Sequence, residues 1–395
     1  MPILIINSGS SSIKFSLFEK KAHKMIQLAH GIADAIGLKN SELRLDNGKV
    51  SVAQQTPLKN HADALKRIFQ ALQGIHLLNE KTGLQLIGHR VVHGGEKYQK
   101  PIQITPDIIR DLKKVIPQAP LHNPANISCI EGCAKIFPQI PQVAVFDTAF
   151  HQTMPEIAYL YALPIVLHQK HGIRKYGFHG INHQHVSSLA QKLLRTVKYP
   201  SARLITLHLG NGCSMTAIKN GRSVENSMGY TPLEGLPMGS RSGDLDPALV
   251  KIIGQKTGKT LSQTIDFLNQ KSGLLGLSGL SSDMRTVWAA AQKGHKRALL
   301  TLDIYAYRIA KYLNAYIGVL GGVDAIVFTA GVGENAWYVR NRILNYVKHL
   351  NITPDPRKNK SNATYFQSKT SSAKLMIIPA NEELEIAMQA DNLLR

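Results

Sequence analysis

The chain has 395 residues, 44% of them hydrophobic, and 47 Lys and Arg against 26 Asp and Glu, a formal charge of +21. That length exceeds a single core and predicts two or three domains; no apolar run reaches the roughly 18 residues of a membrane span and no basic, apolar leader opens the chain, so a cytoplasmic protein is expected. Cys129, Cys133 and Cys213 lack CxxC spacing, which argues against a disulfide framework or a thiolate zinc site, and the positive charge favours anionic ligands, with phosphorylated small molecules ahead of nucleic acid because no zinc-finger or RNP-type pattern accompanies it.

Residues 3–18 read as a buried strand, a small hydroxyl-rich turn and a returning strand. In that turn Gly9 allows backbone N–H groups close to a phosphate, Ser10 and Ser12 supply hydroxyl donors and Lys14 a point charge. Short strands and turns follow to about Leu45, with Asp46-Asn47-Gly48 a turn signal. Ala64, Leu65, Ile68, Phe69 and Leu72 recur at helical spacing within residues 61–72. Residues 84–96 form a strand entering a glycine turn, with Arg90 near its end. A loop over 119–124 leads into a helix containing Ile127, Ile130 and Ala134. Residues 143–150 read as a buried strand whose carboxyl end presents Asp147. This alternation indicates an α/β architecture, in which ligands gather beyond the carboxyl ends of strands.

A domain boundary is expected near His151. Beyond it, residues 204–218 repeat the opening pattern of strand, glycine turn and strand; Gly210 falls on Gly9 and Asn211 on Ser10. Two similar domains facing a central cleft follow from that repetition. Residues 323–335 read as a strand entering a glycine turn before a helix with Val339, Ile343, Tyr346 and Leu350 on one apolar face. Such a turn suits phosphate or the edge of a nucleotide. The basic region 340–374 reads as solvated surface, 354–374 as a polar loop, 375–379 as a last strand and 382–394 as a final helix with Glu382 and Glu383 at its positive end.

The motifs NSGSSSIK, GHRVVHGGE, APLHNP, FDTAFHQTMP, YGFHG, HLGNG, MGSRSGDLDP, SDMR and GVGEN follow in order along nearly the whole chain. With them the chain resembles the acetate/propionate kinase family of the actin and sugar-kinase fold. It departs from the family pattern at Ile181-Asn182, where Thr-Ser is usual, and at Ser240, where Thr is usual. The resemblance implies two ribonuclease-H-like (actin-like ATPase) domains, residues 1–150 completed by the helix 382–395, and residues 151–381 carrying most of the nucleotide site. It also implies reversible phosphoryl transfer between ATP and acetate, giving ADP and acetyl phosphate, and a homodimer with no nucleic-acid or membrane partner. The alternatives are a propionate kinase on the same scaffold, or a nucleotide-gated binding protein of the actin and chaperone class.

Residue by residue, the resemblance places Arg90 and Arg241 on acetate and the transferring phosphoryl group, His179 on its equatorial oxygens, and Asp147 as the catalytic carboxylate. Acetate is already an anion at neutral pH, so Asp147 is expected to orient an arginine or the metal's water shell rather than act as a base. Taken alone, Asp147 reads equally as a strand-end cap, His179 as a packed histidine and Arg241 as a loop arginine paired with Asp244 or Asp246. The nucleotide site carries over to Ser10, Ser12 and Lys14; to His208, Leu209, Gly210, Asn211 and Gly212; to Asp283, Met284 and Arg285; and to Gly331, Val332, Gly333, Glu334 and Asn335. Mg2+, with Mn2+ as a substitute, is placed near Asn7 and Glu382. The acyl pocket is assigned to Val92, Leu121, Phe178 and Pro232, with His122 a secondary candidate. His183 and His185 share an H-x-H spacing, but they fall poorly on one face for a metal.

Overall fold

The computed structural model describes residues 2–22, 24–78, 83–120, 122–195 and 202–394. Its strands form an eight-stranded and a five-stranded sheet. The first comprises β1 (Pro2–Ser8), β2 (Ile13–Lys21), β3 (Lys24–Asp34), β4 (Glu42–Asp46), β5 (Ser51–Gln55), β6 (Leu86–Val91), β7 (Ile102–Gln103) and β8 (Gln142–Phe146), in the order β5-β4-β3-β2-β1-β6-β8-β7. The second comprises β9 (Arg203–Leu209), β10 (Cys213–Lys219), β11 (Arg222–Asn226), β12 (Ala325–Thr329) and β13 (Lys374–Ile377), in the order β11-β10-β9-β12-β13. The run β3-β2-β1-β6-β8 and the whole second sheet have one pattern: two antiparallel steps, then two parallel ones. Both units are therefore mixed α/β with the ribonuclease-H-like strand order.

The apolar runs explain the centres of the sheets. Every residue of β1, β8 and β12 is buried, as parallel neighbours covered on both faces require. Helix His61–Gly74 lays Ala64, Leu65, Ile68, Phe69 and Leu72 on one face of the first sheet, and helix Asn123–Ile136 adds Cys129 and Cys133 to the same core as Leu4, Ile6 and Phe15. Helix Glu382–Leu393 packs against β1 and β6. It does so over Gly88, where a Cβ would lie 2.7 Å from Ile5 Cδ1 and 3.1 Å from Ile386 Cγ2. The chain folds as two compact units, Met1–Ala149 with Asn381–Arg395, and Phe150–Ala380. All three cysteines are free and buried; burial pushes Cys129 up to about 12 and Cys213 to about 11. Among the described residues no helix is long and apolar enough to cross a membrane.

Four expectations are corrected. Residues 330–335 are a short helix, Ala330–Asn335, rather than a glycine turn; the left-handed residue at its start is Ala330, with φ 64°, and Gly331 and Gly333 continue as helix. Its follower, helix Trp337–Asn345, buries Val339 and Ile343, while Tyr346 and Leu350 lie past its end and are exposed. The segment 354–374 is no simple loop: Asp355 accepts from the backbone of Arg357 and Lys358 to cap helix Pro356–Lys360, and bridges join Pro354 to Gln367 and Tyr365 to Met376. Finally, Arg340, read as surface, is fully buried. Its Nε donates to Asn359 Oδ1, Nη1 to the carbonyls of Gly333 and Glu334, and Nη2 to the Asn359 carbonyl and Asn362 Oδ1.

Two buried histidines set a pH dependence for folding. Burial lowers His89 and His93 from 6.5 to about 4. Between those values the unfolded chain binds protons that the folded one refuses, so stability should fall as pH drops from about 6.5 to about 4. Urea midpoints measured across that window should decline, and a His89→Gln/His93→Gln variant should flatten the decline.

Candidate active site

In the first unit, β6 and β8 are parallel neighbours, with Arg90 opposite Val145. Asp147 follows β8 directly and its N–H donates to the Val91 carbonyl at 2.9 Å. Arg90 and Asp147 thus emerge side by side, and Arg90 Nη2 donates to Asp147 Oδ2 at 2.8 Å. The Asp147 side chain is 1% exposed. Glu382, in the first turn of the last helix, puts Oε2 4.0 Å from Arg90 Nε. Asn7, near the end of β1, donates through Nδ2 to Glu382 Oε2 at 3.3 Å and Glu383 Oε1 at 3.1 Å. Burial opposes the charge on Arg90, but Asp147 and Glu382 outweigh it and hold the guanidinium above its ordinary value. Burial, with Asp147 and Glu383 alongside, raises Glu382 despite Arg90. The buried Arg90 Nε makes no hydrogen bond among the described residues.

The neighbouring loops are tied to this cluster. Asn126 donates to the Ser8 carbonyl at 2.8 Å and to Ser8 Oγ at 2.9 Å, and accepts from the Val92 N–H at 3.0 Å. Val92 is buried, and His122 sits at the start of helix Asn123–Ile136. Leu121 lies outside the described residues. Ser10 and Ser12 occupy the β1–β2 turn, closed by Gly9 N–H donating to the Ser12 carbonyl, and Lys14 pairs in register with Asn7. No group of three or more His, Cys, Asp and Glu side chains among the described residues is arranged to hold a metal. Glu382 and Glu383 offer hard oxygens, which suit a divalent ion held mainly through water and phosphate oxygens.

In the second unit the β9–β10 turn repeats the first, with Gly210 N–H donating to the Gly212 carbonyl at 3.0 Å. His179 precedes helix Gly180–Arg195 with φ 57°, a left-handed backbone costly for a non-glycine residue. Its ring stacks on His208 with centroids 4.0 Å apart at 14°, and its Nδ1 lies 2.8 Å from Ser214 Oγ. The Arg241 loop docks on the β9–β10 turn: Gly239 N–H donates to the Asn211 carbonyl at 2.9 Å. A Cβ on Gly239 would fall 2.0 Å from Asn211 Oδ1, so a larger residue would push the Asn211 side chain aside. Arg241 Nη1 donates to the Pro232 carbonyl at 3.2 Å. Asp244 instead accepts from Gly235 N–H and Tyr312 Oη, and Asp246 from Ala248 N–H. Phe178 is buried, and its carbonyl pairs with His151 Nε2 at 3.0 Å.

A cavity of about 770 Å³ opens beside that turn. Of the expected nucleotide residues, Gly210, Asn211, Asp283, Met284, Arg285, Gly331, Val332 and Asn335 line it. Leu209 and Gly333 are buried behind it, and Glu334 Oε1 accepts from the Ala380 N–H. Sequence reasoning missed Leu274, Trp288 and Tyr338 in its wall; Trp288 and Tyr338 stack with centroids 4.0 Å apart at 8°. Their signal was proximity, since Trp288 follows Arg285 by three residues and Tyr338 follows Asn335 by three. His183 and His185 form no metal pair: His183 is bonded to Thr206 and Ser214.

The repeated strand order, with glycine turns and a nucleotide-sized cavity, defines a protein of the actin-like ATPase fold. Residues 2–388 match the Acetokinase family. The chain is 45% identical to the acetate kinases of Caldanaerobacter subterraneus subsp. tengcongensis, over 100% of this chain and 99% of that one, and of Acetivibrio thermocellus, over 100% of both. The crystal structure of Porphyromonas gingivalis acetate kinase superposes with a TM-score of 0.90 at 40% identity, covering 100% of both chains. That of a propionate kinase from Francisella tularensis superposes with 0.92 at 42% identity, covering 98% of both. The chain belongs to the acetokinase family.

Proposed function

We infer that the chain is an ATP-dependent acetate phosphotransferase, moving the γ-phosphoryl group of ATP to an acetate oxygen to give ADP and acetyl phosphate, and the reverse. Acetate with a pKa near that of Asp or Glu is already ionised at neutral pH, so the barrier lies in bringing an anion against a polyphosphate. Positioned cations meet that need better than a base does. The observation that carries this reading is the commitment of Asp147: its Oδ2 accepts from Arg90 at 2.8 Å in a nearly closed environment, so it orients a guanidinium.

In this reading Arg90 binds acetate and the transferring phosphoryl, Arg241 neutralises the developing charge, and His179 donates to the equatorial oxygens. Ser10, Ser12 and Lys14 and the turn His208–Gly212 handle phosphates, and the cavity of the second unit takes the nucleoside. Mg2+, or Mn2+ in its place, would enter with the nucleotide near Asn7 and Glu382 and supply charge neutralisation of the phosphate oxygens. We further propose a cytoplasmic homodimer.

Incubated with ATP, Mg2+ and acetate, the protein should form acyl phosphate that hydroxylamine traps as the hydroxamate. ATP hydrolysis without trapped hydroxamate would favour a nucleotide-gated binding protein. Propionate kinase is the second reading, favoured by the Francisella tularensis likeness. One methylene in an apolar pocket is discriminated by about 1–3 kcal/mol. The kcat/KM for acetate should therefore exceed that for propionate by about 10-fold or more, with butyrate lower still; a preference for propionate reverses the assignment.

A further inference from the structure

Three buried polar groups behind the stacked imidazoles have no role in the mechanism so far. His183 is fully buried on helix Gly180–Arg195; its Nδ1 lies 2.7 Å from Thr206 Oγ1 and its Nε2 2.7 Å from Ser214 Oγ. Ser214, also fully buried, reaches His179 Nδ1 with the same oxygen, at 2.8 Å. On the other side of the stack, Asn182 Nδ2 lies 2.8 Å from His208 Nδ1 and 3.5 Å from Thr329 Oγ1. Each of the stacked rings is thus gripped through Nδ1 by a group withheld from solvent, while His179 Nε2 lies on the Gly212 side and His208 Nε2 on the Gly210 side of the phosphate turn.

A neutral imidazole carries one proton, and the partner of one nitrogen decides which nitrogen holds it. Ser214 has one hydroxyl proton between two histidine nitrogens, so it donates to one and accepts from the other. If Thr206 donates to His183 Nδ1, then His183 Nε2–H donates to Ser214, and Ser214 donates to His179 Nδ1. Every link is then satisfied and His179 carries its proton on Nε2, whereas the reversed chain, with Thr206 accepting, would put it on Nδ1. At His208 the amide N–H of Asn182 does the same work in one step, because an amide nitrogen only donates. Two rings 4.0 Å apart and nearly parallel repel if both are imidazolium, which disfavours the doubly charged pair.

We propose that Asn182, and Ser214 backed by His183 and Thr206, are positioning residues that hold His208 and His179 as neutral Nε2–H tautomers, so that both rings present a donor to the phosphate-binding turn. The role at His179 rests on the phosphotransferase reading above; the tautomers themselves do not. Asn182 stands where the family usually has Ser, a hydroxyl that is also able to donate, so the substitution keeps the proton inventory.

The test is ¹⁵N spectroscopy of histidine-labelled, full-length, ligand-free protein at neutral pH, with the two rings assigned by their loss in His179→Gln and His208→Gln. Both should show the proton on Nε2 and a bare Nδ1. Asn182→Asp replaces a donor by an acceptor and should move the His208 proton to Nδ1 or charge the ring, whereas Asn182→Ser should restore the native pattern. Ser214→Ala should leave His179 a mixture of tautomers and lower kcat about 10- to 100-fold with a smaller change in KM for ATP, by analogy with the scale seen when the hydrogen-bond partner of a metal-ligating histidine is removed. An Nδ1–H form of either ring in the native protein overturns the proposal, as does an unaltered His208 tautomer in Asn182→Asp. Native tautomers in a protein that makes no acyl phosphate would retain the lock and reject the phosphotransferase reading.

Discussion

Replacing Arg241 by alanine should lower kcat by about 10³-fold while changing KM for ATP only a few-fold. Phosphoryl transfer is mainly positioning and charge stabilisation, and a single arginine at the transferring group contributes about 10³–10⁵ in rate. Arg241 is held for such a role: its loop is fixed to the β9–β10 turn through Gly239, and its guanidinium is steered by the Pro232 carbonyl. The wall of the nucleotide cavity does not include it, which is why affinity for ATP should survive. Arg241→Lys should recover little, because a point charge on a flexible stem does not reproduce the planar fork. An unchanged kcat in Arg241→Ala would remove the residue from the mechanism.

Arg340→Met should cost about 3 kcal/mol or more of stability, visible as a lower urea midpoint, and raise KM for ATP. All five guanidinium N–H groups find acceptors, none of them a carboxylate. Burial alone lowers Arg340, to about 10, and leaves it protonated at neutral pH. A methionine fills much of the space but strands five acceptors, of which Asn359 Oδ1 and the Gly333 and Asn359 carbonyls are buried and each worth about 1–3 kcal/mol when left bare. Two of the five acceptors are the Gly333 and Glu334 carbonyls at the end of helix Ala330–Asn335, whose residues Gly331, Val332 and Asn335 line the cavity. Loss of stability with no effect on ATP would show that the helix holds its place without Arg340.

These cases show where the chain was legible and where it was not. The buried strands and the helix over 61–74 were readable because their order is local: apolar residues at periods of two or 3.6 suffice. The Arg90 and Asp147 positions were readable because a strand end is a strand end whatever it faces. Arg340 was misread because its acceptors are carbonyls and asparagines, residues that carry no charge pattern and lie up to 22 positions away. The helix at Ala330 was missed because Ala330 itself takes the left-handed backbone, which glycine-based turn signals do not anticipate. Asp355-Pro356 was a legible cap that the surrounding lysines obscured. Trp288 and Tyr338 had no spacing rule to mark them; their stacking joins two helices distant in the chain.

The last helix, Glu382–Leu393, belongs to the first unit and covers β1 and β6. On a ribosome that helix appears only after the whole of Phe150–Ala380 has been made, a delay of about 10–50 s at roughly 5–20 residues per second. Over that interval the nascent amino-terminal sheet has the apolar face of β1 and β6 uncovered, so chaperone capture of stalled chains ending before residue 381 should exceed capture of chains ending just after the helix.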